Sequence, residues 1–264
     1  MKKTAIILGA LLASLSLSPA NAADTKSLVI IDSYFDSRVI GGNVSCVAIE
    51  NNLPCADVVT ATSTLMSNEI NHGDGMVEVA KRQNSTIKII ALRSGFPTKT
   101  SVSGVTPARF IDALRWVNNN STTVGAVSFS RYFNHATKPC MPMASSPYTP
   151  ETADLEIKKL ISTLSSKGIP VFVATGNKLG APVDYPACLT AINSVSVGSL
   201  NKLGQTISSY SFDANTDYFA SASVYSYKSS VFGLIPNTTS AGNVAVAAKY
   251  LSGFLDNKFV NVLQ

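Results

Sequence analysis

Five stretches of the chain are almost continuously apolar and rich in β-branched residues: SLVIID (27–32), IKIIAL (87–92), VGAVSFS (124–130), IPVFVATG (169–176) and SVSVGS (194–199). A strand with one face in water alternates apolar and polar residues. These stretches barely alternate, so each predicts a strand covered on both faces. Between them the period lengthens to that of a helix. TPARFIDALRWVNN (106–119) sets Phe110, Leu114 and Val117 on one stripe, with Thr106 as cap and Pro107 in the first turn. TPETADLEIKKLISTLSSKG (149–168) repeats the device: Thr149 caps, Pro150 starts, Leu155, Leu160, Ile161 and Leu164 face inward, and Gly168 ends the helix. HGDGMVEVAKRQ (72–83) reads as a helix opened by His72, and NTTSAGNVAVAAKYL (237–251) as a turn leading into an amphipathic helix. Strands alternating with helices imply an α/β fold of three layers, a mostly parallel sheet with helices on both faces. In such sheets the chemistry lies at the carboxyl ends of the strands.

The first residues break this pattern. MKKTAIILGALLASLSLSPANAAD has two lysines, an apolar run interrupted by Ser14, Ser16, Ser18 and Pro19, and the A-x-A signature Ala20-Asn21-Ala22. It reads as a bacterial Sec signal peptide cut after Ala22, which implies a secreted or periplasmic product without a membrane anchor. The expected mature chain, residues 23–264, is long enough for one sizeable domain. Without Lys2 and Lys3 it carries 19 basic against 16 acidic side chains, a net charge of +3. That small excess is scattered, and no basic run is interleaved with aromatics, so a nucleic-acid partner is not expected.

Export permits disulfides. Cys46 and Cys55 bracket VAIENNLP, whereas Cys140 in KPCMP and Cys188 in YPACL lie far apart in loops that both contain proline. Four cysteines allow three pairings; the expected one is 46–55 with 140–188. The sequence shows no C-x-x-C pair, no cysteine–histidine cluster and no carboxylate cluster to assign to calcium, so no metal or cofactor is expected. The sequons at Asn84 and Asn120 carry little weight behind a bacterial signal.

Several residues at or just after strand ends carry chemistry. Asp32 ends the first strand, His72 follows at the start of its helix, Asn177 comes after VFVATG, and Thr238, Thr239 and Ser240 open the last helix. Singly, each has an ordinary reading as a cap or turn residue. In this order, Asp, His, Asn, then Ser or Thr, the chain resembles the subtilisin-like serine peptidases, the subtilase family, over about residues 27–255. VIIDSYFD resembles the family's strand ending in Asp-Ser/Thr-Gly, with Tyr34 in place of the glycine. NHGDGMVEVA resembles His-Gly-Thr-His-Val-Ala, keeping His72 and Gly73 and losing the Thr-His pair to Asp74 and Gly75. VFVATGN resembles the Ala-Ala-Gly-Asn segment, YPACLTAINSVSVGS the Tyr-Pro-Ala run before a Val-Gly strand, and VGAVSFS the strand that pairs with substrate.

The resemblance implies an endopeptidase in which His72 takes the proton of a hydroxyl nucleophile, Asp32 fixes the imidazole, and Asn177 donates to the developing oxyanion. Ser128, Phe129 and Ser130 would bind an extended peptide by strand addition. The implied partner is a peptide or protein substrate, and the expected state a monomer. The family's last motif resembles Gly-Thr-Ser-x-Ser/Ala-Ala-Pro-x-Val-Ala. Anchoring on Val244-Ala245 sets Thr238 on the nucleophile and Ser240 two residues further on. Choosing Ser240 instead requires deleting two residues, which turns the helix by about 200° at 100° per residue. Thr238 brings an extra methyl that restricts χ1, and Pro236 and Asn237 replace the glycine and threonine before it. The few residues between signal cleavage and the Asp32 strand leave no room for a folding pro-segment. Two readings therefore stand beside the peptidase with Thr238, or Ser240, as nucleophile: a pseudopeptidase that binds peptide or a protein partner, and an unrelated exported α/β binding protein.

Overall fold

In the computed structural model the described residues are 26–253, without 37–38, 51, 56–67, 96–103, 179–180, 190–193, 202, 204, 207–210, 213–215, 222–226, 230–232 and 236–237. The proposed signal peptide and its cleavage site, with Pro236 and Asn237, fall outside them. In chain order the elements are β1 (Ser27–Asp32), β2 (Val44–Ala48), β3 (Leu53–Pro54), α1 (Asn68–Gln83), β4 (Ile89–Arg93), α2 (Pro107–Asn119), β5 (Val124–Phe129), α3 (Pro150–Ser166), β6 (Val171–Ala174), β7 (Ser194–Leu200), β8 (Tyr218–Ser221), β9 (Tyr227–Ser229), β10 (Gly233–Ile235) and α4 (Thr239–Leu251).

Alternation within each strand sorts the apolar side chains into two cores. From β1, Leu28 and Ile30 point to one face, where they meet α1 and α4; Val29 and Ile31 point to the other, where they meet α2 and α3. Both faces are dry, as the unbroken apolar runs require. The sheet order is β3-β2-β4-β1-β5-β6-β7-β8, and every pair is parallel except β2 with β3. A separate antiparallel pair joins β9 to β10. After β4 the chain crosses β1 to lay down β5 and the strands beyond it. The carboxyl end of β1 therefore faces the switch point of the sheet, where such folds open a crevice.

Thr106 caps α2 and Thr149 caps α3, the latter in a capping box whose return bond comes from Thr152. The inward stripe of α3 is Ala153, Ile157, Leu160, Ile161 and Leu164, whereas Leu155 is 67% exposed, against expectation. At about 100° per residue it lies two steps from both Ala153 and Ile157, on the opposite side of the helix. The strand expected over 87–92 begins at Ile89. The edge strands β3 and β8, and β2 next to the edge, were not foreseen, because they are short and β2 alternates between buried and more exposed positions. Disulfides join Cys46 to Cys55 and Cys140 to Cys188, at Cα separations of 5.4 and 5.8 Å.

The last helix is not amphipathic. Every residue from Thr239 to Ala248 is buried, and the first charge is Lys249. Its place is set by small side chains that let it lie directly on the sheet. At Gly242 a Cβ would come within 2.9 Å of Ser199 Oγ and 3.1 Å of the Ala220 methyl. With apolar contact all round, a 200° turn would exchange one buried face for another, so individual contacts fix the register rather than one apolar stripe. A branched side chain at 242 should wedge the helix from the sheet: Gly242→Val is expected to cost about 1–3 kcal/mol, read as a lower urea midpoint, and an unchanged midpoint would contradict this packing.

Candidate active site

Parallel pairing sets Asp32 opposite Arg93 at the end of β4, with its side chain wholly buried. Taking a carboxylate out of water is unfavourable unless cations and donors surround it. Here they come from several parts of the chain. His72 Nδ1 lies 2.6 Å from Oδ2, Arg131 directs Nε and an Nη to Oδ1 at 3.0 and 2.9 Å, and the Ser33 N–H donates to Oδ1 at 2.7 Å. Burial pushes the Asp32 carboxyl up, but Arg131, His72 and the Ser33 amide outweigh it and hold the group well below the usual carboxylate range. Since a carboxylate only accepts, Nδ1 carries a proton, and in the neutral ring Nε2 keeps its lone pair.

His72 sits in the second turn of α1 rather than opening it, because the helix begins at Asn68. Gly73 and Gly75 disguise it, being residues that weaken a helix. Gly73 is required where it stands: a Cβ would overlap the Tyr34 carbonyl oxygen and come within 2.9 Å of the Phe35 ring. The close approach of α1 to the segment after β1 brings the imidazole to Asp32. The other histidine, His135, accepts from the Thr137 and Lys138 amides in an exposed turn.

Thr238 is the N-cap of α4. Its backbone is extended, at φ −132° and ψ 159°, and its hydroxyl oxygen accepts from the Ala241 N–H at 3.3 Å. As an acceptor in the cap it keeps its own O–H to donate. Ser240 is different: its hydroxyl donates to the Ser130 carbonyl at 3.2 Å, and Ser130 Oγ returns a bond to the Ser240 carbonyl. Asn177 is exposed, and its Oδ1 accepts from both the N–H and the hydroxyl of Thr239 at 3.0 Å. Thr239 Oγ1 in turn accepts from the Gly176 N–H. This exchange ties the loop after β6 to the first turn of α4.

The expected peptide strand is displaced. Ser128 and Phe129 are buried in β5 between β1 and β6, with backbone paired on both sides, and Ser130 is buried against Ser240. A peptide cannot pair with a strand whose edges are taken; past the buried Ser130 the chain continues through Arg131 to the exposed Tyr132. Sequence reasoning named Thr239 without its link to Asn177 and missed Arg131 and Asn243, whose amide nitrogen reaches Ser128 Oγ and Ser130 Oγ at 3.0 and 3.1 Å under the site. Arg131 had a signal: a cation directly after a buried strand, at the edge where the acid stands.

The described residues contain no group of three or more His, Cys, Asp or Glu that could hold a metal ion, and no helix among them is long and apolar enough to cross a membrane.

The depressed Asp32 pKa makes a signed prediction. A carboxyl whose native pKa lies below its unfolded value, about 3.9, contributes stability above that value and loses it as pH falls. Removing a cation raises the native pKa and shrinks the contribution. Arg131→Met should therefore be less stable than wild type at pH 7, by about 3 kcal/mol, and the gap should narrow as pH falls through the variant's raised native pKa, where Asp32 protonates in the folded variant but stays ionised in folded wild type. Urea melts across pH test this, and a gap constant with pH would contradict it.

No protein-family model matches the chain, and no curated protein matches it in sequence. Solved structures do match its shape. A lanthipeptide protease superposes with a TM-score of 0.57 at 12% identity, covering 86% of this chain and 72% of that one. The nisin leader peptidase of Lactococcus lactis gives 0.57 at 13%, covering 85% and 76%. The epidermin leader peptide processing serine protease of Staphylococcus aureus gives 0.56 at 14%, covering 85% and 64%. With the seven parallel strands and the helices on both faces, these likenesses show that the chain has the subtilisin-like fold.

Proposed function

We propose that the chain is an exported endopeptidase in which Asp32, His72 and Thr238 form the hydrolytic triad and Asn177 supplies the oxyanion donor. The observation that carries this reading is the short bond from His72 Nδ1 to the buried Asp32 carboxylate, made at the switch point of a subtilisin-like sheet. It leaves Nε2 as the free base. Thr238 is preferred to Ser240 because no acceptor among the described residues takes its hydroxyl proton, whereas the Ser240 hydroxyl is spent on a backbone carbonyl in the interior.

In the proposed reaction His72 Nε2 takes the Thr238 proton as Oγ1 attacks the peptide carbonyl. The imidazolium is stabilised by Asp32 and returns the proton to the leaving amine as the C–N bond breaks; water activated by Nε2 then cleaves the Thr238 ester and restores the hydroxyl. The negative oxygen of the tetrahedral intermediate lies at the positive end of α4 and accepts from Asn177 Nδ2. The anchoring of Asn177 Oδ1 on Thr239 supports that role, because it holds the amide before substrate arrives. The threonine methyl confines χ1 and narrows the angles of attack. Substrate backbone would pair with Arg131 and Tyr132 in place of the buried Ser128–Ser130 stretch. Two disulfides suit an exported protein, and the leader peptidases of the same fold give a precedent for peptide substrates.

A fluorophosphonate probe followed by peptide mapping tests the assignment. The adduct is expected on Thr238, lost in His72→Ala and faster in Thr238→Ser, and Asn177→Ala should slow peptide hydrolysis on the order of 10²–10³-fold. Labelling of Ser240 would transfer the role to that residue. No adduct on the wild type or on Thr238→Ser would remove the peptidase reading.

A further inference from the structure

A second cluster borders Asn177 and has no part in the proposed triad. Tyr132, after β5, is 52% exposed. Lys178, beside Asn177 in the loop after β6, holds its ammonium 4.3 Å from the centroid of the Tyr132 ring and 3.6 Å from Asp184 Oδ1. Asp184 is only 2% exposed. Asn134 Nδ2 donates to its Oδ1, and Oδ2 has no hydrogen-bond partner. Gly176, at φ +110°, makes room for this carboxylate, since a Cβ there would overlap Oδ2. The charge thus lies against the backbone of the residue before Asn177.

Buried carboxylates in folded proteins are surrounded by donors or paired closely with a cation. Asp184 has one amide donor and an ammonium beyond hydrogen-bond distance, on a lysine side chain that is 47% exposed. An aromatic face and an under-coordinated carboxylate on either side of one ammonium make a cation cradle, and its present occupant is loosely held. A guanidinium fits it better, because its flat face stacks on tyrosine while its N–H groups reach Asp184 Oδ1, the oxygen on the ammonium's side. Exchanging one cation for another keeps the local charge balanced, and the displaced Lys178 tip is already partly in water.

We infer that Tyr132 and Asp184 form a subsite for an arginine or lysine side chain of the peptide substrate, with Lys178 as its occupant in the free protein. This rests on the peptidase reading, in which the subsite adjoins the carbonyl that Asn177 would polarise. The preference would thus fall on the residue at or next to the scissile bond.

The test compares two peptides that differ at one central position, arginine in one and its neutral isostere citrulline in the other. They are fluorescein-labelled for binding by anisotropy and internally quenched for cleavage. The arginine peptide is expected to bind wild type roughly tenfold more tightly, and the gap should widen in Lys178→Ala, where the competing ammonium is gone. Asp184→Asn should erase it. Should that buried substitution unfold the protein, as a thermal melt would reveal, the exposed Tyr132→Ala serves in its place and should reduce the discrimination. Equal or absent binding of the two peptides in wild type and Lys178→Ala would overturn the subsite, as would a preference that survives Asp184→Asn or Tyr132→Ala. Arginine-selective binding without cleavage would keep the subsite and remove the peptidase activity; cleavage without selectivity would do the reverse.

Discussion

The carboxylate of Asp32 is out of water at the end of the central strand, and the rest of the site is arranged to make that tolerable. Oδ1 takes the Arg131 fork and the Ser33 amide, while Oδ2 takes His72. The division matters chemically. One oxygen is neutralised by a permanent cation, and the other holds an imidazole in a single tautomer and orientation. An unpaired charge at this depth would cost several kcal/mol, so the segment after β1, helix α1 and the loop after β5 are held in register by electrostatics as well as by apolar packing.

Two close backbone approaches allow this convergence. At Gly73, α1 comes against the Tyr34 carbonyl and delivers its imidazole; at Gly242, α4 comes against β7 and β8 and sets its first turn at the carboxyl edge of the sheet. That turn is then wired to its surroundings by hydroxyls rather than charges: Thr239 to Asn177 and Gly176, and Ser240 to Ser130. Ser199 Oγ adds a bond to the Thr238 carbonyl. Such a rim is preorganised in the sense that hydrolytic chemistry needs, because the dipoles are fixed before any substrate charge develops.

Five of the parallel strands and the two helices opened by Thr-Pro were legible in the sequence, because burial on two faces and the pairing of threonine with proline leave local signatures. Asp32, His72 and Asn177 could be picked out by their order past the strands, and the structure brings Asp32 to His72 and ties Asn177 to the turn that Thr238 caps. What failed to show was non-local. The start of α1 at Asn68 did not show, because Gly73 and Gly75 weaken the helical pattern around His72. Leu155 looked inward by composition and not by angle. Ser128 and Phe129 looked available to a peptide because nothing in a strand's own sequence says which edges are already paired. Arg131 is a distant partner of Asp32, 99 positions along the chain, and only the fold connects them.

The most direct test of the account is the tautomer and proton of the His72 ring, read by long-range ¹H–¹⁵N correlation, with His135 as the only other imidazole in the chain. The account predicts a neutral ring protonated at Nδ1, with that proton far downfield and shielded from exchange, and loss of the resonance in Asp32→Asn. A neutral ring protonated at Nε2, or an Nδ1 proton that exchanges freely with water and ignores the Asp32 substitution, would contradict it.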